Sequence, residues 1–568
     1  MPDRPAVDEK NEILLLQPTG ANSLARLQSC CVPSSGVRTM LRLMFVQALQ
    51  SVAFYVIVAT IGEYVECFFD SAPSGSWSLV WINILLAFSH ALSPVYGWIT
   101  DTKYSHFPVL VGCFIMNVLG VALIFASAYI QDGTSDQIAI GRGLYYSGLL
   151  VSVLLAVPGI QATLIPFMLE QLTGGADQKN RHLRAFVSWS YFAVNVGAAI
   201  AFGVGGYLQS LRSPNGNTNF GGFAWKYLLG LCAVSLAFII FVFGKNQYRW
   251  FHPRQLSRPS LIAVCHTAWC RKPEREHYDT DILRQHQQEP STQTEAEERE
   301  QNDHIRQLGE LVPLMTTMVL YFTIYSQTLS TFVEQGHHLD YESLNKAPIP
   351  PWDWPLIFDP ISIIITVPLM QWVLKPLFER ITGRIIYILP SIRWGMVLAA
   401  ASCVCASLVD SARLHYCNYK HICTTINNSP LCQCFSQMSA SWQVPQYIIM
   451  GVSEVLAVVG FMEIVLSRSP REFRCTTFGF FRMIEGMGKL VGALTLIIVQ
   501  STKPSWYYKA KHLNSDFNPD SCYLQESRSL VYYYFVILAF AIIFNTIFYM
   551  AIEHNYRKYT RYAPLQKK

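Results

Sequence analysis

The feature that most constrains this chain is a recurrence of apolar blocks about 20 residues long, the length that crosses a hydrocarbon core of roughly 30 Å. Twelve are readable, near 40–64, 77–99, 107–129, 144–169, 184–208, 223–244, 310–334, 353–374, 389–410, 442–466, 476–500 and 529–552. Inside lipid a backbone must satisfy its own N–H and C=O groups, so such blocks predict helices. Several carry Gly, Pro or Ser, which are frequent in membrane helices. Composition agrees. Of the 568 residues 51% are hydrophobic and 14% charged, too little charge to cover a soluble protein of this size. The expectation is an all-α membrane protein with twelve transmembrane helices.

The first 38 residues are polar and lack the apolar stretch of a cleavable signal, so the first block is the expected insertion signal. Basic residues then orient the chain. The connections Asp101 to His106, Asp177 to Arg184, Lys375 to Arg384 and Ser467 to Arg474 are basic, as is the C-terminal tail, and they are placed in the cytoplasm. Glu66 to Trp77 and Gln131 to Gly141 hold no Lys or Arg and are placed outside. Lys503, Lys509 and Lys511 run against the rule locally. Both termini are then cytoplasmic. The net charge of +5 reflects this bias and calls for no nucleic-acid partner.

The chain divides into an N-terminal tail (1–39), six blocks (40–245), a polar linker (246–308), six more blocks (309–553) and a C-terminal tail (554–568). Within the linker, Glu289 to Asn302 has no apolar period and is expected to be disordered or a frayed helix. Cys67, Cys417, Cys423, Cys432, Cys434 and Cys522 all fall on the outer side. An even number in a disulfide-permissive compartment favours pairing of unreadable connectivity. Cys417, Cys423, Cys432 and Cys434 share one outer loop (411–441); their irregular spacing favours disulfides over a zinc knuckle. Asn427 heads a glycosylation sequon in that loop, disfavoured by Pro430.

Six blocks, a long linker and six more is the layout of the major facilitator type, where two bundles rock about a site near the midplane. One loop supports this. Gly97 and Asp101 match the G-x-x-x-D start of the facilitator loop motif and Phe107 fits its end, though Ser105-His106 replace the usual Gly-Arg. An Asp at a helix end accepts backbone N–H groups or pairs with a neighbouring basic loop, which would latch one gate state. The plain alternative is an acidic residue in a tight turn.

Four longer stretches are more specific. They are Phe186 to Ile200 (with Trp189, Tyr191, Asn195 and Gly197 in register), Tyr325 to Leu339, Trp442 to Pro470 (with Pro445, Gln446, Tyr447, Gly451, Glu454 and Glu463), and "FVFGKNQYRWFHP" after the sixth block. They resemble the proton-dependent oligopeptide transporters, solute carrier family 15, nearest the peptide/histidine branch. The resemblance runs from about Arg42 to Glu553. It implies a di- or tripeptide bound between the halves and carried by alternating access with protons. It also implies a Glu on helix ten facing the peptide's amino end, with helix-one E-x-x-E-R and a helix-four Lys for coupling and carboxylate binding.

The chain departs from that pattern at those points. Gln47, Gln50 and Ser51 stand where the resemblance implies two Glu and an Arg, and Gln161 stands for the Lys. Glutamine has the shape of glutamate without its titration. Two cations are lost, and Asp359 stands where many relatives have Asn, so the cavity is expected to be more negative than in a relative and to favour amines. Proton coupling would pass through Glu454 and Asp359.

Each candidate carries a plainer alternative. Glu454 is a ligand or proton site, or a hydrogen-bonded structural acid. Asp359 serves the same site, or caps the backbone freed at Pro360. Gln47, Gln50 and Gln161 line the cavity, or make interhelical amide contacts, and Ser51 and Gln327 are further candidates to bind substrate. Tyr55 and Tyr191 touch ligand, or pack, and Asn195 is a further candidate to bind substrate. Glu463 is a gate or loop contact. Glu485 and Lys489, four apart on one helix, form a self-contained ion pair, or Lys489 reaches the cavity. Addressing signals are short: Tyr562 to Leu565 fits a tyrosine-based sorting form, which tilts the location toward endosome or lysosome. The leading reading is a secondary transporter of small peptides or histidine-like amino acids, with protons and membrane lipid as partners. The rival is a transport-deficient scaffold recruiting cytoplasmic adaptors at its termini or linker. No nucleophile–base set, cofactor motif or metal-ligand cluster suggests an enzyme.

Overall fold

The computed structural model describes residues 35–68, 76–130, 135–172, 176–211, 222–250, 309, 311–340, 355–383, 388–415, 419–426, 429–501 and 531–562. Eleven helices among them are long and apolar enough to cross a membrane. Six come first: α1 (Gly36–Val65), α2 (Leu79–Thr102), α3 (His106–Ile130), α4 (Asp136–Glu170), α5 (Leu183–Gln209) and α6 (Phe223–Phe243). The seventh crossing, α7, is residues 311–337: a helix over 311–325, a 3₁₀ turn at Ser326–Leu329, and a short helix Thr331–His337. Then come α8 (Pro355–Thr382), α9 (Ile388–His415), α10 (Ala440–Arg468), α11 (Arg471–Ser501) and α12 (Val531–Tyr556). The chain is thus built as an integral multi-pass helical membrane protein.

The outward faces are those of helices in hydrocarbon. On α12, Ile537, Phe540, Phe544 and Ile547 recur every three or four residues and are exposed, a stripe that faces lipid. Among the described residues the departures from helix are few. One is an antiparallel hairpin, β1 (Tyr419–Ile426) and β2 (Ser429–Ser436), whose register sets Cys423 opposite Cys432. It falls in the stretch read from sequence only as a cysteine-rich loop.

Two π-helical segments interrupt α4 at Leu150–Ala156 and α8 at Met370–Leu374. Each ends two residues before a proline, Pro158 and Pro376. A proline ring displaces the carbonyl four residues earlier, and widening the turn accommodates it. The inserted residue turns all later side chains by about 100°. Gln161 and Lys375 both lie after such a shift. α2 bends at Leu92–Ser93, ahead of Pro94.

Glycines set the close approaches that build the seam between the halves. A Cβ at Gly97 on α2 would lie 2.3 Å from the Cys475 carbonyl oxygen of α11, and one at Gly479 on α11 would lie 2.6 Å from the Ser93 oxygen of α2. Within the first half, a Cβ at Gly197 on α5 would meet the Ala48 oxygen of α1 at 2.2 Å. Within the second, a Cβ at Gly451 on α10 would meet the Asp359 oxygen of α8 at 2.7 Å.

Where α6 leaves the bundle, the Tyr248 hydroxyl donates to the Phe241 carbonyl at 2.9 Å, and the Arg249 N–H donates to Gln171 Oε1 at 2.8 Å. Burial pushes the Tyr248 phenol up to about 12, so it stays a donor.

Candidate functional site

The site forms where α1 and α5 of the first half face α8 and α10 of the second. Gly451 lets the α8 backbone close onto α10 at Asp359. Glu454 lies three residues on, over the same helix face, which brings its carboxyl within electrostatic reach of that of Asp359. Asp359 sits in the first turn of its helix, where the exposed N–H ends favour a carboxylate. Glu454 is 1% exposed and Asp359 half-buried.

Tyrosines surround this pair. The Tyr191 hydroxyl on α5 donates across the seam to Glu454 Oε2. Tyr55 on α1 packs edge-on against Phe54 and Phe202 and lies within electrostatic reach of Glu454 and Asp359, and of Glu485 and Arg482. Tyr321 and Tyr325 on α7 also lie within reach of both Glu454 and Asp359. Glu454 Oε1 and Asp359 Oδ1 are buried without a hydrogen-bond partner.

A second polar cluster adjoins it on α11. Glu485 accepts from Lys489 at 2.6 Å and from Arg482 at 2.7 Å, and lies 3.3 Å from His90 Nε2 on α2. Arg482 also donates through Nε and Nη2 to Gln161 Oε1 on α4, at 3.1 and 2.6 Å. The local Glu485–Lys489 pair is therefore real, but it is part of a five-residue network spanning both halves. Arg482 changes the charge picture: a cation from the opposite half stands against Gln161, so the seam there keeps a positive charge.

The other candidates fall elsewhere. Gln50 Oε1 accepts from Asn117 Nδ2 at 2.8 Å, and Asn117 Oδ1 accepts from Ser152 at 2.6 Å, a chain that ties α1 to α3 and α4. Ser51 bonds its own helix at the Gln47 carbonyl, 2.9 Å away. Asn195 Nδ2 likewise donates to the Tyr191 carbonyl of its own helix at 2.9 Å. Gln327 is buried inside the second half, with Thr323, Thr331 and Tyr534 as partners. Gln47 is buried with an Oε1 that has no hydrogen-bond partner. Cys417, Asn427 and Leu565 lie outside the described residues; for Cys423, Cys432, Cys434 and Tyr562 only the backbone is described.

At the end of the bundle carrying the α2–α3 turn, the seam is latched twice. Asp101 accepts the Thr476 N–H at 2.7 Å and the Thr476 hydroxyl at 2.8 Å, capping the start of α11 from the other half. Asp101, His106 and Cys475 offer donor atoms within 4.8 Å of one another, but the Asp101 oxygens are committed to this cap. Arg184 on α5 donates through Nε to both oxygens of Glu463 on α10, at 2.9 and 2.8 Å. Beside that pair, Gln371 on α8 donates to Ser188 on α5 at 2.7 Å and accepts from Lys375 at 3.2 Å. These residues line a small cleft of about 40 Å³.

Sequence reasoning passed over Arg482, His90, Tyr321 and Tyr325. The signal for Arg482 was present: it stands three residues before Glu485, on the same helix face.

The PTR2 model, described as the POT family, matches residues 109–511. Solute carrier family 15 member 3 of Mus musculus is 23% identical over 574 residues, covering 92% of each chain. Protein NRT1/PTR family 6.4 of Arabidopsis thaliana is 23% identical over 512 residues, covering 81% of this chain and 79% of its own. Among solved structures, the POT family transporter PepTSo superposes with a TM-score of 0.65 at 16% identity, covering 92% of this chain and 98% of that one. An auto-inhibited POT family peptide transporter gives 0.62 at 14% identity, over 94% and 99%. At such identities the structural likeness is one of fold.

Proposed function

This chain belongs to the POT family, and from that premise we propose that it carries small peptides or histidine-like amino acids across the membrane by alternating access, with Asp359 and Glu454 as its proton-handling pair. As a POT-family chain it is a transporter and not an enzyme. The observation that carries the rest of the reading is the acid pair itself. Two carboxyls of the second half lie close to one another behind a tyrosine of the first, and two like charges so placed favour sharing one proton. An ammonium group arriving between Tyr55, Tyr191 and Tyr325 would find a carboxylate and aromatic faces, and would compete for the charge that the proton now neutralises. Ligand and proton are then linked through one pair of groups. The neutral residues Gln47, Gln50 and Gln161 take no part in that titration.

In the described conformation the Asp101 and Arg184–Glu463 contacts close one end of the seam. We place that end in the cytoplasm, from the basic loops it carries, with both termini on the same side. Endosomal or lysosomal residence, outer-loop disulfides and glycosylation at Asn427 belong to the same reading.

The test is uptake of radiolabelled alanyl-alanine and of histidine into proteoliposomes holding the full chain, with and without an inward proton gradient. Glu454→Gln and Asp359→Asn should each abolish the stimulation by the gradient while exchange against preloaded substrate persists. Strong acid-driven uptake in the double variant would reject the assignment of the pair. No uptake of any probe would turn attention to the non-transporting scaffold.

A further inference from the structure

Arg482 reaches from α11 into the other half, and its guanidinium is held unevenly. On one side Nη1 donates to the Glu485 carboxylate at 2.7 Å. The opposite edge, Nε and Nη2, falls on a single neutral oxygen, Gln161 Oε1, at 3.1 and 2.6 Å. Nη2 lies 3.2 Å from His90 Nε2 as well. His90 Nδ1 is 2.7 Å from the Leu86 carbonyl, which only accepts, so Nδ1 carries a hydrogen. The Arg482 side chain keeps 19% exposure, against 5% for Lys489. Lys489 is spent on Glu485, whereas the Nε–Nη2 edge of Arg482 faces a partner that carries no charge.

Two parallel N–H groups match the two oxygens of a carboxylate, and one amide oxygen is a weaker partner for that fork. We infer that the Nε–Nη2 edge of Arg482 is a carboxylate site held in reserve by Gln161: an incoming carboxylate displaces the amide and, in doing so, releases the α4–α11 contact across the seam. The inference rests on reading this cavity as a ligand site. It adds the residue that selects for an anionic end and the cross-seam bond which that end breaks. Binding and latching then compete for one guanidinium edge. Glu485 stays bound to Nη1 throughout, which keeps the fork oriented.

The purified full-length protein tests this without a variant. Phenylglyoxal modifies arginines, and peptide mass spectrometry reads the rate at Arg482, with the exposed Arg471 as an internal control. The probes are lactate, alanyl-alanine and alanyl-alanine amide. Lactate and alanyl-alanine should slow modification of Arg482 several-fold and leave Arg471 unchanged, while the amide should not protect. Protection by neither carboxylate, or equal protection by acid and amide, overturns the inference. Arg482→Lys keeps the charge and loses the fork. It should weaken competition by alanyl-alanine about tenfold and leave the amide unaffected; an equal loss for both also overturns it. Uptake of radiolabelled alanyl-alanine is measured alongside. Lactate protection without uptake rejects the transport reading and leaves the arginine site standing, whereas uptake without protection rejects the site alone.

Discussion

Gln47 and Gln50 stand three residues apart on one face of α1, yet the structure uses them differently. Gln50 is an interior link, accepting from Asn117 at 2.8 Å, while Gln47 keeps an amide oxygen with no partner. Removing one member of a buried hydrogen bond strands the other, at a cost of about 1–3 kcal/mol. Gln50→Leu should therefore lower the thermal midpoint in detergent by several degrees. Gln47→Leu should leave it unchanged or raise it, because no bond is lost and an unsatisfied polar group is removed. If Gln47 touches ligand, the second variant will lose affinity without losing stability. Equal destabilisation by both would contradict the distinction.

At the scale of elements, the acid pair depends on how closely α8 and α10 approach. Gly451 is what allows it: a Cβ there would lie 2.7 Å from the Asp359 oxygen and 2.9 Å from Ser362 Cβ. Gly451→Ala should cost about 1–3 kcal/mol by overpacking and part Asp359 from Glu454 with neither acid altered. Gly460, further along α10, is the comparison. Its nearest neighbour would be the Ile392 Cγ1 at 3.1 Å, a side-chain atom that can yield. Thermal unfolding of the two variants, with gradient-driven uptake, should show the larger loss for Gly451 in both. α7 contributes differently. Its 3₁₀ turn and break at Ser330 interrupt the helix just beyond Tyr321 and Tyr325, which it supplies to the site.

For the whole molecule, the seam behaves as two surfaces held by a few bonds at one end. Cys475 is a native reporter of that end, because it is wholly buried beneath the Asp101 contact. Losing a side-chain cap costs about 0.5–2 kcal/mol, which corresponds to roughly a 2- to 30-fold shift in an opening equilibrium. Asp101→Ala should raise the rate at which N-ethylmaleimide labels Cys475 by a factor in that range. Arg184→Ala should do the same through the second latch. Cys113 and Cys403, buried within α3 and α9, should stay unlabelled, which separates gate opening from unfolding. Unchanged Cys475 labelling in both variants would mean that neither contact holds the seam shut.

The sequence by itself determined the twelve crossings, the two-half layout and the family. Those depend on block length, apolar content and short ordered motifs, all read along the chain. It also placed Glu454, Asp359 and Asp101 among the residues of interest, since an ionisable group in an apolar block has few neutral explanations. Only the tertiary structure decided which polar side chains meet. Gln50 and Gln161 look alike as amides in apolar helices, yet one joins helices of its own half and the other takes Arg482 from 321 positions away. Within α11 the Glu485–Lys489 spacing already satisfied a local reading, so Arg482 drew no attention, although its decisive partner lies on α4. Side-chain partners across a seam are set by helix phase, by π turns before prolines and by glycine-sized gaps. These are properties of packing that no stretch of a single helix carries.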